Sequence, residues 1–145
     1  MPTIAEPDTA IDALLSAISL SGWQPGHDII RIDGETSPMQ MNPPCQLVAF
    51  CGLPGVGKTA LSRRVADRLG ATFLRIDTIE SAIASTLAPI GDSPVGYVVA
   101  GRVAADQLRA GRAVVADGVN NVLAARQQWI DLARDLAVPL RFIEV

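Results

Sequence analysis

From Gln46 onward, short apolar runs alternate with longer amphipathic stretches, the pattern of βαβ units in which helices cover a parallel sheet. Leu47 to Cys51 is an apolar run of strand length, followed by a glycine-rich turn. Leu61, Val65 and Leu69 then recur at four-residue spacing, which predicts a helix that Gly70 ends. Phe73 to Ile76 predicts a second strand, and a helix is expected from about Thr78 until it fades by Pro89. The breakers Gly91, Asp92, Ser93 and Pro94 come next. Ser93 as N-cap, Pro94 at the first helical position and Gly111 past the end frame a further helix carrying Val95, Val99 and Val103 on one stripe. Ala113 to Ala116 predicts a third, buried strand. Leu123 to Ala137 predicts the next helix, with Trp129, Ile130, Ala133 and Leu136 as its inner face and Pro139 keeping it from continuing. The chain stops inside a fourth predicted strand, Leu140 to Val145.

The first 44 residues behave differently. A candidate helix from Ala10 to Leu20 is followed by Gly22, Pro25, Gly26, Gly34, Pro38, Pro43 and Pro44, and no motif stands out. The expected organisation is an N-terminal extension over 1–44, partly disordered, and one domain over 45–145. Met39 and Met41 lie just upstream of the first strand, so a start there would keep that domain whole and leave 1–38 adventitious. No internal repeat is found.

Composition narrows the function classes. With 145 residues, 49% of them apolar, the chain can bury one real core. Twelve basic against 15 acidic residues give a net charge of −3, which offers no footprint for a nucleic-acid backbone. No apolar run reaches the roughly 20 residues of a membrane span, and Glu6, Asp8 and Asp12 precede Ala13 to Leu20 where a signal peptide would carry positive charge. Cys45 and Cys51 flank one predicted strand, about 20 Å apart when extended, and cannot pair within it. A reduced, cytoplasmic protein is the expectation.

The chemistry sits in Gly52-Leu53-Pro54-Gly55-Val56-Gly57-Lys58-Thr59, a full match to G-x-x-x-x-G-K-[ST] placed between a predicted strand and a predicted helix. Glycines let successive backbone N–H groups curl around an anion, and the helix that opens at Ala60 and its neighbours points its positive end at the same phosphates. Lys58 supplies a mobile charge for β- and γ-phosphates, and the Thr59 hydroxyl is the expected Mg²⁺ ligand. Lys58 is also the sole lysine beside eleven arginines.

Asp117 ends the third apolar run, at the strand edge where open α/β sheets bind ligands. It reads either as a Walker-B-like carboxylate on Mg²⁺, opposite Thr59, or as a turn former beside Gly118. Asp77 ends the second strand and is the candidate general base for a substrate hydroxyl; the other reading is an N-cap, with Glu80 completing a box-like pattern. Asn120 offers an amide to substrate and Asn121 a helix cap, and Arg126 reads either as facing a phosphate or, more often for such a residue, as lying on a solvated face. Cys51 and Trp129 read as packing and His27 as surface, with no metal cluster or nucleophilic triad.

On these residues, Gln46 to Val145 resembles the small P-loop kinases of the AAA-type "predicted kinase" group, related to zeta-toxin, gluconate-kinase and chloramphenicol-phosphotransferase families. The matching positions are the P-loop, the acid Asp77 after the second strand, and Asp117-Gly118-Val119-Asn120 in place of a D-x-x-N stretch. The resemblance implies a three-layer α/β/α P-loop fold with sheet order 2-3-1-4, ATP and Mg²⁺ as ligands, and phosphoryl transfer to the hydroxyl of an unidentified small molecule. Two positions depart. Glu80 stands where several relatives carry a phosphate-binding arginine, and the arginine-bearing lid and fifth strand would fall beyond Val145. The expectation is therefore a C-terminally truncated domain or fragment whose apolar fourth strand forms an exposed edge, open to self-association or covered by another chain. An ATP-binding regulatory module and an inactive fragment are the alternatives to a kinase, and the lack of N-K-x-D disfavours GTP.

Overall fold

The computed structural model describes residues 11–12, 28–31 and 45–145. Its elements are β1 (Asp28–Arg31), β2 (Leu47–Cys51), α1 (Lys58–Leu69), β3 (Thr72–Arg75), α2 (Ile76–Thr86), α3 (Val95–Arg109), β4 (Val114–Asp117), α4 (Leu123–Leu136) and β5 (Leu140–Glu144). All five strands are parallel, in the order β1-β5-β2-β4-β3. Counted from Leu47, the last four run 2-3-1-4 from the β3 edge, as expected, with the P-loop strand inside the sheet.

Alternation along β2 builds the three layers. Leu47, Ala49 and Cys51 face α3 and α4, joining Ala100, Ala104, Leu108, Trp129 and Ala133 in one cluster. Val48 and Phe50 face the other way, onto Val65 and Ala66 of α1. Every β2 residue is buried, which is why the strand reads as a continuous apolar run instead of an alternating one.

Two expectations change, and the structure decides which face of α3 is buried. The edge of Leu140–Val145 is not open: β1 lies along β5, with Ile29 beside Phe142 and Ile30 beside Ile143 in register. Part of the extension thus belongs to the sheet. Ile11 and Asp12 are helical, Ile11 is buried, and Asp12 pairs with Arg68 of α1 at 3.1 Å. The rest of the Ala10–Leu20 helix, His27, Met39 and Met41 lie outside the described residues.

The valine stripe of α3 faces outward. Val99 and Val103 are 36% and 38% exposed, whereas Gly96, Ala100, Ala104, Ala105 and Leu108 are buried. Two stripes compete at four-residue spacing, and close approach decides between them. A Cβ on Gly101 would come within 2.6 Å of Gln128 Nε2, and one on Gly96 would overlap Glu80, so small residues must face the neighbours. Secondly, β3 stops at Arg75 and Ile76 opens α2, so the acid after the strand sits in the first turn of a helix.

The end of α1 matches its sequence signal, whereas the cap of α3 falls on Pro94, one residue later than expected. Gly70 takes a left-handed conformation at the end of α1, and Ala71 N–H donates to Ala66 O at 2.9 Å. At the start of α3, Val95 N–H donates to Ser93 Oγ at 3.3 Å.

Candidate functional site

The P-loop leaves the C-terminal end of β2 and returns into α1 at Lys58. Gly52 must be glycine for two reasons: its φ is +143°, and a Cβ there would lie 2.8 Å from Val145 O. Gly57 caps α1 in the left-handed region. Leu53, Pro54, Gly55, Val56, Gly57 and Ala60 are exposed, Thr59 is half-buried in the first turn, and Lys58 is buried.

Lys58 folds back across the loop. Its Nζ donates to Gly52 O at 3.2 Å and stands 3.8 Å from Asp117 Oδ1. Asp117 closes β4, in register with Phe50 of β2 on one side and Arg75 of β3 on the other. Its carboxylate is 2% exposed, and Oδ2 has no hydrogen-bond partner among the described residues. The buried Asp117 carboxylate thus stands beside the P-loop lysine, in ion-pair range of it.

Asp77 lies on the same sheet edge, two thirds exposed, in the first turn of α2. It does not cap the helix: Arg75 holds that position, and no side-chain cap bond forms. Arg75 instead ties the two acids together, with Nη2 3.5 Å from Asp77 Oδ2 and Nε 3.8 Å from Asp117 Oδ2. Arg75, Asp77, Thr78, Glu80 and Ser81 line an open polar hollow of about 560 Å³. Burial pushes the Glu80 carboxyl up, and the nearby Asp77 adds to it.

Asn120 and Arg126 differ from expectation. Asn120 is fully buried with φ +47°, and its amide turns inward: Nδ2 donates to Phe50 O at 2.8 Å, and Oδ1 accepts from Trp129 Nε1 at 2.9 Å. Its backbone N–H donates to the Tyr97 hydroxyl at 3.3 Å, and burial pushes that phenol up. Together with the bond from Gly52 N–H to Val119 O at 3.1 Å, this stitches the loop after β4 to the base of the P-loop. The side chain is committed to the fold and not to a substrate. Arg126 is not on a solvated face either; it pairs with Glu144 at 2.8 Å, donates to Asn120 O at 2.7 Å and lies over the Phe142 ring. Cys51 and Trp129 are buried as packing residues, Trp129 with the added bond to Asn120.

Sequence reasoning missed Arg75. The available signal was a charged residue inside the apolar run Phe73 to Ile76, at the end of the strand that meets ligands. Among the described residues, no three His, Cys, Asp or Glu side chains are grouped to hold a metal by themselves. Among the same residues, no helix is long and apolar enough to cross a membrane.

Comparison with known proteins bears on the family and the fold. The AAA domain family (AAA_33) matches residues 47–145. A candidate kinase from Chloroflexus aurantiacus superposes with a TM-score of 0.60 at 20% identity, over 69% of this chain and 58% of that one. The APS kinase CysC of Mycobacterium tuberculosis gives 0.57 at 20% identity, over 71% and 78%. A structure of that enzyme in complex with AMPPNP and APS gives 0.55 at 19% identity, over 70% and 62%. The Lon protease of Aquifex aeolicus is 58% identical over 33 residues, a local likeness spanning 23% of this chain and 4% of that protein. With the family matched across the whole P-loop unit and the sheet superposing on kinases, the chain belongs to the AAA domain family and has the P-loop kinase fold.

Proposed function

We propose that this protein binds ATP with Mg²⁺ and transfers the γ-phosphoryl group to the hydroxyl of a small molecule, as a cytoplasmic kinase. The observation that carries this reading is the placement of Lys58 Nζ, 3.2 Å from Gly52 O and 3.8 Å from the buried Asp117. A lysine resting on its own loop has its charge held at the phosphate cradle, and phosphate oxygens would replace the carbonyl it now contacts.

The residues fit a nucleotide and its cation. Residues Gly52, Leu53, Pro54, Gly55, Val56, Gly57, Lys58, Thr59 and Ala60 form the cradle, and three of its glycines have positive φ. Asp117 Oδ2 is the orphaned acceptor, and Thr59 supplies the hydroxyl in the adjoining turn. One carboxylate and one hydroxyl suit Mg²⁺, which takes few protein ligands and completes its shell with phosphates and water. When bound, it supplies charge neutralisation on the phosphate oxygens. Lys58 holds the β- and γ-phosphates in place, and Asp77, exposed at the hollow, accepts the proton of the acceptor hydroxyl. The M. tuberculosis enzyme was solved in complex with AMPPNP and APS; here the hollow is lined by hydroxyls, carboxylates and the Arg75 guanidinium, which suits a polar acceptor.

The test is thermal denaturation with and without MgATP for the wild type and Lys58→Ala. At nucleotide about 100 times its Kd, binding adds about 2.7 kcal/mol to the native state. The wild type is expected to gain that stability and the variant to lose it. A wild type indifferent to MgATP would sink the reading. With binding in hand, Asp77→Asn is expected to keep it and lose transfer to hydroxyl acceptors.

A further inference from the structure

Arg75 stands at the junction of the two halves of this site. It ends β3 in register with Asp117, and its guanidinium lies between Asp117 on the P-loop side and Asp77 on the side of the hollow. Both contacts, at 3.8 and 3.5 Å, are longer than a hydrogen bond between charged groups. Arg75 Nε is buried without a hydrogen-bond partner among the described residues, and so is the Asp117 Oδ2 it faces. Only Nε is buried in this way, and leaving it unpaired is costly; with the side chain 38% exposed, the outer nitrogens open toward the hollow, where a ligand can reach them. Its planar fork matches phosphoryl oxygens better than it matches two carboxylates pulling from opposite sides.

We infer that Arg75 is a catalytic residue supplied by the chain itself, contacting the phosphoryl group as it passes from ATP to the acceptor. The inference rests on the proposed kinase reading. In the step, the acceptor oxygen forms a bond to the γ-phosphorus and the bond from that phosphorus to the β–γ bridging oxygen breaks. The released electron pair stays on ADP, and the hydroxyl proton goes to Asp77. Arg75 neutralises the charge gathered on the transferred oxygens, while Asp77 and Asp117 hold its guanidinium in line beforehand. The family resemblance assigned this charge to the arginines of a lid; Arg75, two residues before Asp77, is an arginine already at the site. Cationic side chains in this role change phosphoryl-transfer rates by about 10³-fold or more.

The experiment uses ADP, Mg²⁺ and fluoroaluminate, a mimic of the phosphoryl group in transit, with thermal denaturation as readout. ADP with Mg²⁺ is expected to stabilise the wild type and Arg75→Ala to within about twofold in apparent Kd. Adding fluoroaluminate is expected to tighten wild-type binding by roughly 10²-fold, as transition-state mimics do. Arg75→Ala loses that gain, Arg75→Lys recovers part of it, and millimolar guanidinium restores it to Arg75→Ala. A purely structural arginine would show no such rescue. Equal tightening in wild type and Arg75→Ala, or none in the wild type, overturns the role of Arg75 while nucleotide binding stands. A wild type that ADP does not stabilise overturns the kinase reading and this inference with it.

Discussion

Replacing Asn120 with alanine tests how the P-loop is anchored. The side chain is fully buried and makes two bonds, Nδ2 to Phe50 O at 2.8 Å and Oδ1 from Trp129 Nε1 at 2.9 Å. Alanine would strand a carbonyl and an indole N–H, each at about 1–3 kcal/mol. The backbone adds to this, because φ is +47° at this position and alanine tolerates the left-handed region worse than asparagine by up to roughly 1 kcal/mol. The expected cost is about 3–5 kcal/mol, a large share of a typical 5–15 kcal/mol. For a chain of this size that lowers the Tm by roughly 10–20 °C. Urea denaturation followed by far-UV circular dichroism reads the free energy. Asn120→Gly serves as the internal comparison, since it deletes the same two bonds but relaxes the backbone, and should recover up to about 1 kcal/mol of the loss. A cost below about 1 kcal/mol for Asn120→Ala would refute the buried network as the anchor, and equal losses in both variants would refute the backbone part.

Two further predictions follow from burial and from the sheet edge. Burial pushes the Cys51 thiol from 9.0 up to about 11, with Glu144 adding and Arg126 and Lys58 opposing. The unfolded chain therefore releases this proton first, so the stabilising contribution is complete below about pH 9 and is lost as the pH rises to about 11. Urea midpoints measured across that window should fall for the wild type, and Cys51→Ala should flatten the fall; parallel curves would show that the thiol does not contribute. Deletion of residues 1–38 removes β1 and uncovers the outer edge of β5, which forfeits a few backbone bonds and roughly 2–4 kcal/mol. Sedimentation should show self-association that grows with concentration; an unchanged, monomeric and equally stable product would mean that β1 does not protect the edge.

The nucleotide half of the site was legible because its chemistry is local. A P-loop is eight consecutive residues, and the strand before it and the helix after it are marked by their own patterns, so the place of Lys58 and Thr59 at the opening of α1 could be read from spacing. Asp117 was legible through its place at the end of an apolar run, since adjacent parallel strands bring their carboxyl ends to one edge. Asn120 and Arg126 were misjudged for the opposite reason. Polar side chains look alike in sequence whether they face water or complete a buried network, and only the partners Phe50, Trp129 and Glu144, distant along the chain, tell the two apart.

The sequence alone determined the alternation of strands and helices, the helix end at Gly70, and the glycine-rich loop between β2 and α1, because each depends on periodicity or on backbone preferences within a few residues. Tertiary structure decided the rest. Which stripe of α3 turns inward depends on how closely α2 and α4 approach it, and there the small residues Gly96, Ala100 and Ala104 prevail over the more hydrophobic valines. That β1 closes the sheet beside β5 depends on a pairing across more than a hundred residues. Arg75 became a candidate catalytic group only once β3 was set in register with β4, which placed its guanidinium between two carboxylates 40 positions apart in the chain. Contacts of that range cost loop entropy and are chosen by the packing of the whole domain, so no short stretch of sequence encodes them.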